Sequence, residues 1–276
     1  MNQRRTSALS ALLVVVLVLL WRAFFPTAAP NGGGGGGGTG GGSQSGVCGD
    51  KFAFGQPSAT GEGDNARFLC RQGYATLHDP DLKVPLYVAE HLKEGDANGA
   101  VPRNDDFEPD PDLSSGERAE LTDYRGSGFD RGHMAPAADF SDDATEMQQS
   151  FYLSNMVPQN GVMNQGIWAG LESAVRSCAK RVGDLYVITG PLFDGPRRTI
   201  GESRVAVPSG LYKIVIDRQD NKARAFVMPN RALRNTSDFS KYEADVAGIE
   251  RETGLDFAPN GELPSDRDLC RDAFGG

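Results

Sequence analysis

The chain is poor in the residues that most often build preformed metal and redox sites: its 276 residues include three histidines, four cysteines and two tryptophans. Cys48, Cys70, Cys178 and Cys270 are widely spaced, with no CxxC pair and no histidine placed to complete a zinc site. That leaves disulfides or inert thiols. Four cysteines allow three pairings, and Cys48 with Cys70 and Cys178 with Cys270 is the local choice, favoured if the body is exported to an oxidising compartment. Positive charge is also scarce: 28 Lys and Arg stand against 37 Asp and Glu, for a net charge of −9. Bulk attraction to nucleic acid is thereby excluded, because it needs many cationic phosphate contacts; any basic site must be local. No internal repeat is visible. Glu117, Glu120, Asp123, Asp142 and Asp143 lack the spacing of a calcium loop and read as solvated acidic faces.

Long apolar runs are confined to the N-terminus, where Ala8 to Trp21 is followed by Arg22 and then Ala23 to Phe25. With Arg4 and Arg5 ahead of it, this is an export signal. Ser7 to Phe25 just reaches the roughly 18 to 20 residues that span a bilayer, with Arg22 snorkelling to the interface. Cleavage after Ala29 would put Pro30 beside the cut, so an uncleaved anchor, with the body outside the cytoplasm, is favoured over a cleaved signal peptide. Residues 31–46 are nearly pure glycine and form a flexible tether. The folded domain then spans residues 47–276, enough for one substantial core.

Within it, "LYVAEHL" (Leu86 to Leu92), "SFYLSNMVPQ" (from Ser150, ending at Pro158) and "DLYVITGPLF" (Asp184 to Phe193) read as strands. Gly210 to Pro229 reads as a hairpin turning at Asp217 to Asn221. A helix over Asn164 to Arg181, with Asn164 as its N-cap, places Trp168, Leu171, Val175, Cys178 and Val182 on one stripe. A second helix runs from Asp238 to Glu252 and stops at Gly254. Strands and helices without regular βαβ alternation predict an α+β fold.

"DRGH", Asp130 to His133, is the segment that suggests chemistry. If it is extended, Arg131 and His133 share one side and Asp130 takes the other, while Gly132 leaves room for close approach of a backbone or a ligand. A base and a cation then face one bound group. Asn164 and Glu172, eight residues apart, lie roughly on one helical face. Taken singly, Asn164 is a helix cap and Glu172 half of a pair with Arg176. His78 and His91, without ligand-spaced carboxylates, are assigned surface or core roles.

Three motifs in order, "DRGHMAPAADF", "YLSNMVPQ" and "MNQGIWAGLE", make the chain resemble the DNA/RNA non-specific endonucleases of the ββα-metal superfamily. "PRNDDFEPDP", "ITGPLF" and "IERETGLDF" extend the likeness from about Leu86 to Phe257. Met134 to Pro136 resembles the secreted bacterial branch, although mitochondrial endonuclease G-like enzymes share the Asp-Arg-Gly-His motif. The resemblance implies a ββα-metal (His-Me finger) fold, in which a central, mainly antiparallel sheet is flanked by helices. It implies His133 as general base, Asn164 as the one direct ligand of Mg²⁺ or Mn²⁺, and Glu172 holding that metal through water. Arg131 and Arg103 would bind and stabilise the phosphate, Asn155 would orient the site, and Asp130 would support the strand. Implied partners are DNA and RNA substrates and, through residues 7–25, a membrane; a homodimer and an inhibitor protein are left open. A tethered binding module on a degenerate nuclease fold and a small-nucleotide phosphodiesterase are the rival readings.

Overall fold

Strand-forming segments in this chain are apolar on both faces, which requires cover on both sides of a sheet. The structure, a computed structural model, describes residues 48–59 and 65–275. The apolar segment Ser7 to Phe25 and the glycine tether of residues 31–46 lie outside the described residues. In chain order the strands are β1 (Ser58–Ala59), β2 (Arg67–Cys70), β3 (Tyr74–Asp79), β4 (Val84–Lys93), β5 (Asp130–His133), β6 (Met156–Gln159) and β7 (Asp184–Leu192), then β8 (Arg198–Ile200), β9 (Val205–Val207), β10 (Gly210–Asp217), β11 (Lys222–Pro229), β12 (Glu243–Ala244) and β13 (Leu255–Asp256). Seven of them form one sheet in the order β12-β11-β10-β7-β4-β3-β2. Every neighbouring pair in it is antiparallel.

Alternation along each strand divides the core in two. Val88, Val187, Leu211 and Val215 face the long helix Ala169–Val182, packing against Trp168, Leu171, Val175 and Cys178. Tyr87, Ile188, Tyr212, Ile214 and Ile216 face the other way, onto Phe52, Val246, Ile249 and Phe257. The predicted hairpin forms over Gly210 to Pro229, with Asp217 paired to Lys222. Both disulfides form in the favoured pairing: Cys48 with Cys70 on the second side, and Cys178 with Cys270, which ties the long helix to the C-terminal turn Arg271–Phe274.

Four local expectations are corrected. Only Met156–Gln159 of the segment beginning at Ser150 is strand; Leu153–Asn155 is a single 3₁₀ turn, because Asn155 must point inward and bond to the loop after β5. The helical segment begins at Gly161, capped by the Asn160 side chain, which accepts from Met163 N at 3.2 Å. Asn164 is therefore not the N-cap but lies a turn inside. The second helix is shorter than read, Val246–Thr253, because Glu243 and Ala244 pair with β11 as β12, but it ends at Gly254 with φ of +69° as expected. Asp123 is not a solvated surface acid: it is buried, accepting from Glu120 N and Ser203 N at 2.8 and 3.0 Å.

β5 and β6 form a separate antiparallel pair, registered Arg131 to Pro158 and His133 to Met156, and the helical segment follows β6 directly. Two strands and a helix in this order carry the candidate site.

Candidate active site

His133 closes β5 and is 9% exposed. Its ring stands edge-on to Phe151 at 5.1 Å between centroids and tilts against Phe107 at 5.6 Å. These walls exclude water, and burial is the main reason the imidazole pKa drops to about 3; Arg103 and Arg131 push the same way, while Asp105 opposes them. The ring is neutral throughout the physiological range. Nε2 is buried without a protein partner, which leaves Nδ1 as the ring nitrogen toward solvent.

The two aromatic walls also carry the arginines. The Arg131 guanidinium lies 4.1 Å over the Phe107 ring and that of Arg103 lies 5.1 Å over Phe151. A stacked guanidinium keeps its N–H edge available for an anion. Arg131 has no carboxylate partner among the described residues, and Arg103 Nε reaches only the exposed Asp105, at 2.7 Å. The loop bearing Arg103 and Phe107 is held in place by Glu108, whose N donates to Phe151 O and whose O accepts from Leu153 N.

Asn155 is fully buried and acts as a clamp. Its Oδ1 accepts from Ala135 N at 2.9 Å, and its Nδ2 donates to Ala135 O and Ser150 O at 2.9 and 2.8 Å. Met134 N donates to its carbonyl at 3.0 Å, so the chain leaving His133 is bonded on both edges.

Arg103, Arg131, Asp130, Asn164 and Gln165 line one cleft of about 720 Å³, with Phe107 and Phe129 in its walls. Asp130 lines the cleft beside Arg131, and its Oδ2 accepts from Asn164 Nδ2 at 3.0 Å and from Gln165 Nε2 at 2.8 Å. That bond fixes which way the Asn164 amide points. No described donor reaches Asn164 Oδ1, so a neutral oxygen is presented beside a carboxylate. Gly132 does not leave clearance for a ligand: a Cβ there would overlap the Gln159 side chain.

Glu172 is not among the residues lining the cleft. In an unbroken α-helix eight residues leave two side chains about 80° apart, at ~100° per residue. Gly166, at φ −110° and ψ −105° inside the turn Asn164–Trp168, kinks the helix between them, so regular spacing does not carry across. Glu172 lies beyond that kink, in the first turn of the helix Ala169–Val182. Its expected pair with Arg176 does not form, because Arg176 Nη1 bonds to the buried Asp139 at 2.8 Å. Burial raises the Glu172 pKa to about 7; Lys213 opposes that shift, Asp139 adds to it, and Arg176 opposes it. Lys213, 1% exposed on β10, donates to Thr189 Oγ1 at 2.7 Å and lies 5.4 Å over the Trp168 ring. Glu90 is buried beside this group, and burial followed by the Asp139 charge pushes its pKa well up.

Sequence reasoning passed over Phe107, Phe151, Lys213 and Glu90, and gave Asp130 only a strand-supporting role. Lys213 and Glu90 did carry a signal, since each is a charge at an inward position of an otherwise apolar strand, in "GLYKIVID" and "LYVAEHL". His78 and His91 stay outside the cleft: His78 is buried with Nε2 2.8 Å from Glu117 O, and His91 stacks on Tyr186.

The family model for DNA/RNA non-specific endonucleases matches residues 52–262. Nuclease C1 of Cunninghamella echinulata var. echinulata is 37% identical over 235 residues, covering 79% of this chain and 90% of its own length. Human mitochondrial endonuclease G is 36% identical over 209 residues, covering 71% of this chain and 70% of its own length. Mouse mitochondrial nuclease EXOG is also 36% identical, and there the match spans 71% of this chain but 58% of the relative. A chain of the EndoG/EndoGI inhibition complex superimposes with a TM-score of 0.70 at 31% identity, over 80% of this chain and 94% of that one. With that match and the β5, β6 and helix unit around His133, the chain belongs to the DNA/RNA non-specific endonuclease family.

Proposed function

We propose that the chain is a divalent-metal-dependent, sugar-non-specific endonuclease that hydrolyses DNA and RNA to 5′-phosphate ends, with His133 as general base. The observation that carries this reading is that two stacked arginines line the same cleft as the free Asn164 side-chain carbonyl, while the neutral His133 imidazole packs behind Phe107 in its wall.

Arg103 and Arg131 seat the scissile phosphate through N–H edges suited to its oxygens. His133 Nδ1 takes the proton from a water as that oxygen bonds to phosphorus and the bond to the 3′ oxygen breaks. In the free protein the low pKa keeps His133 unprotonated. A phosphate between the two arginines cancels their potential at the ring and so raises its basicity when substrate is present. Asn155 holds the chain after His133, and Asp130 holds the Asn164 amide; both position other groups. The residues present fit a hydrated divalent ion: Asn164 Oδ1 is an unbonded oxygen next to a carboxylate, and Glu172 is a buried carboxyl further along the same helical segment. Among the described residues no cluster of three His, Cys, Asp or Glu could cage a metal, so an ion here would draw most of its ligands from water and phosphate. Mg²⁺ or Mn²⁺, when bound, would supply neutralisation of charge on the phosphate and the leaving oxygen. The two disulfides support an oxidising compartment and, with the N-terminal apolar segment, a body held outside the cytoplasm.

The test is to incubate the full-length chain with plasmid and with RNA, with Mg²⁺ or chelator, beside His133→Ala. Cutting of both polymers only with metal is expected, with the variant slower by about 10³-fold. Absence of cutting in every condition, or equal cutting by the variant, refutes the mechanism; binding without cutting would establish the tethered binding module.

A further inference from the structure

The cleft at Asn164 is continued by a second depression of about 160 Å³, and Phe129 lines both. Two further guanidinium and phenyl pairs stand there: Arg198 lies 5.6 Å over Phe129, and Arg197 lies 5.8 Å over Phe193. Both arginines are exposed, and neither has an ion-pair partner among the described residues. Away from the cleft this acidic chain neutralises several of its guanidinium groups: Arg71 bonds to Asp110 and Asp112, Arg176 to Asp139 and Arg224 to Glu243. Asp194 is the one acidic residue lining the depression.

Its wall is pinned to the catalytic strands. Arg198 is registered to Val207 in the β8–β9 pair. Asn230 Nδ2 donates to Pro208 O and to Pro158 O, each at 2.9 Å, and Pro158 is the register partner of Arg131. The outer arginine pairs are thus held in a set relation to Arg131.

Resting on the nuclease reading of the cleft, we propose that Arg198 on Phe129 and Arg197 on Phe193 form a second binding position for the substrate strand, beside the scissile phosphate. A planar guanidinium supported by a phenyl ring turns its other face to a base and its N–H edge to a phosphate, a sequence-tolerant way to hold a strand. Two such pairs beyond the reacting phosphate predict that the enzyme distinguishes substrates by length, and that part of its salt sensitivity resides here.

The experiment compares the full-length protein with an Arg197→Ala/Arg198→Ala variant and with Arg198→Lys. Cleavage of a dinucleotide and of a 20-nucleotide single strand is measured with Mg²⁺, and anisotropy of the labelled 20-mer in chelator over a range of salt. The double variant should raise KM for the 20-mer about tenfold with kcat and dinucleotide cleavage unchanged, and should lower the slope of log Kd against log salt by about 1.4, at ~0.7 per phosphate of a single strand. Arg198→Lys, which keeps charge but not the plane, should recover the salt slope and only part of the KM. Unchanged KM and slope in the double variant overturn the proposal, as do equal losses on dinucleotide and 20-mer. If the parent protein cuts neither substrate, the nuclease reading fails, while the anisotropy difference still decides whether the second position binds a strand.

Discussion

Glu172 carries a charge in a place that disfavours it, and this can be measured without any catalysis. Its pKa of about 7, against 4.5 when unfolded, means the folded state holds a proton that the unfolded state has released over that interval. The contribution is favourable below about pH 4.5 and is lost as pH rises through 7. Glu172→Gln removes the penalty paid by the ionised form, so in chelator the variant should exceed the parent in stability at pH 8 by roughly 3 kcal/mol, at ~1.4 kcal/mol per pKa unit. Near pH 4 the difference should almost vanish. Urea midpoints at the two pH values check this, and a variant less stable than the parent at pH 8 would show that the carboxylate is held by a favourable partner. At this scale His133 and Arg131 were legible because strand period relates neighbours two residues apart. The clamp of Asp130 on Asn164 was not, since it joins residues 34 apart.

The helix after β6 has a buried stripe that could be read from its period of 3.6, but its beginning could not. Asn160 and Asn164 are both capping residues by type, and the backbone chose Asn160. The π turn that follows, with its kink at Gly166, breaks the regular spacing between Asn164 and Glu172, a detail to which hydrophobic periodicity is blind. At its far end Cys178 joins Cys270 across 92 residues, closing a long loop in the unfolded chain. Cys178→Ala/Cys270→Ala should lower stability by about 4 to 5 kcal/mol, the value expected for a loop of that length. Guanidinium midpoints check the size. Cleavage at 25 °C should survive, because the bond is at the opposite end of the helix from Asn164; complete loss of activity in a folded variant would contradict that separation.

For the whole molecule, charge and the proposed export make one consistent account. A net charge of −9 keeps the body off nucleic acid except where unpaired arginines gather, which suits an enzyme that must release what it cuts. The proposed anchor predicts that Met1 to Phe25 stays attached and that the chain fractionates with membranes, body outward. Mass spectrometry of the membrane and soluble fractions decides it; a mature soluble chain beginning near Asn31 would replace the anchor with a cleaved signal.

The linear sequence by itself determined the α+β class, the main strands, the buried helical stripe, the disulfide preference and the residue types of the site, because each of these depends on composition or on a local period. Tertiary structure alone decided that Phe107 and Phe151 enclose His133 and carry Arg131 and Arg103, that Asp130 orients Asn164, and that Arg176 abandons Glu172 for Asp139. Those contacts join distant segments, and a buried charge or amide takes whichever partner the packed backbone brings within reach.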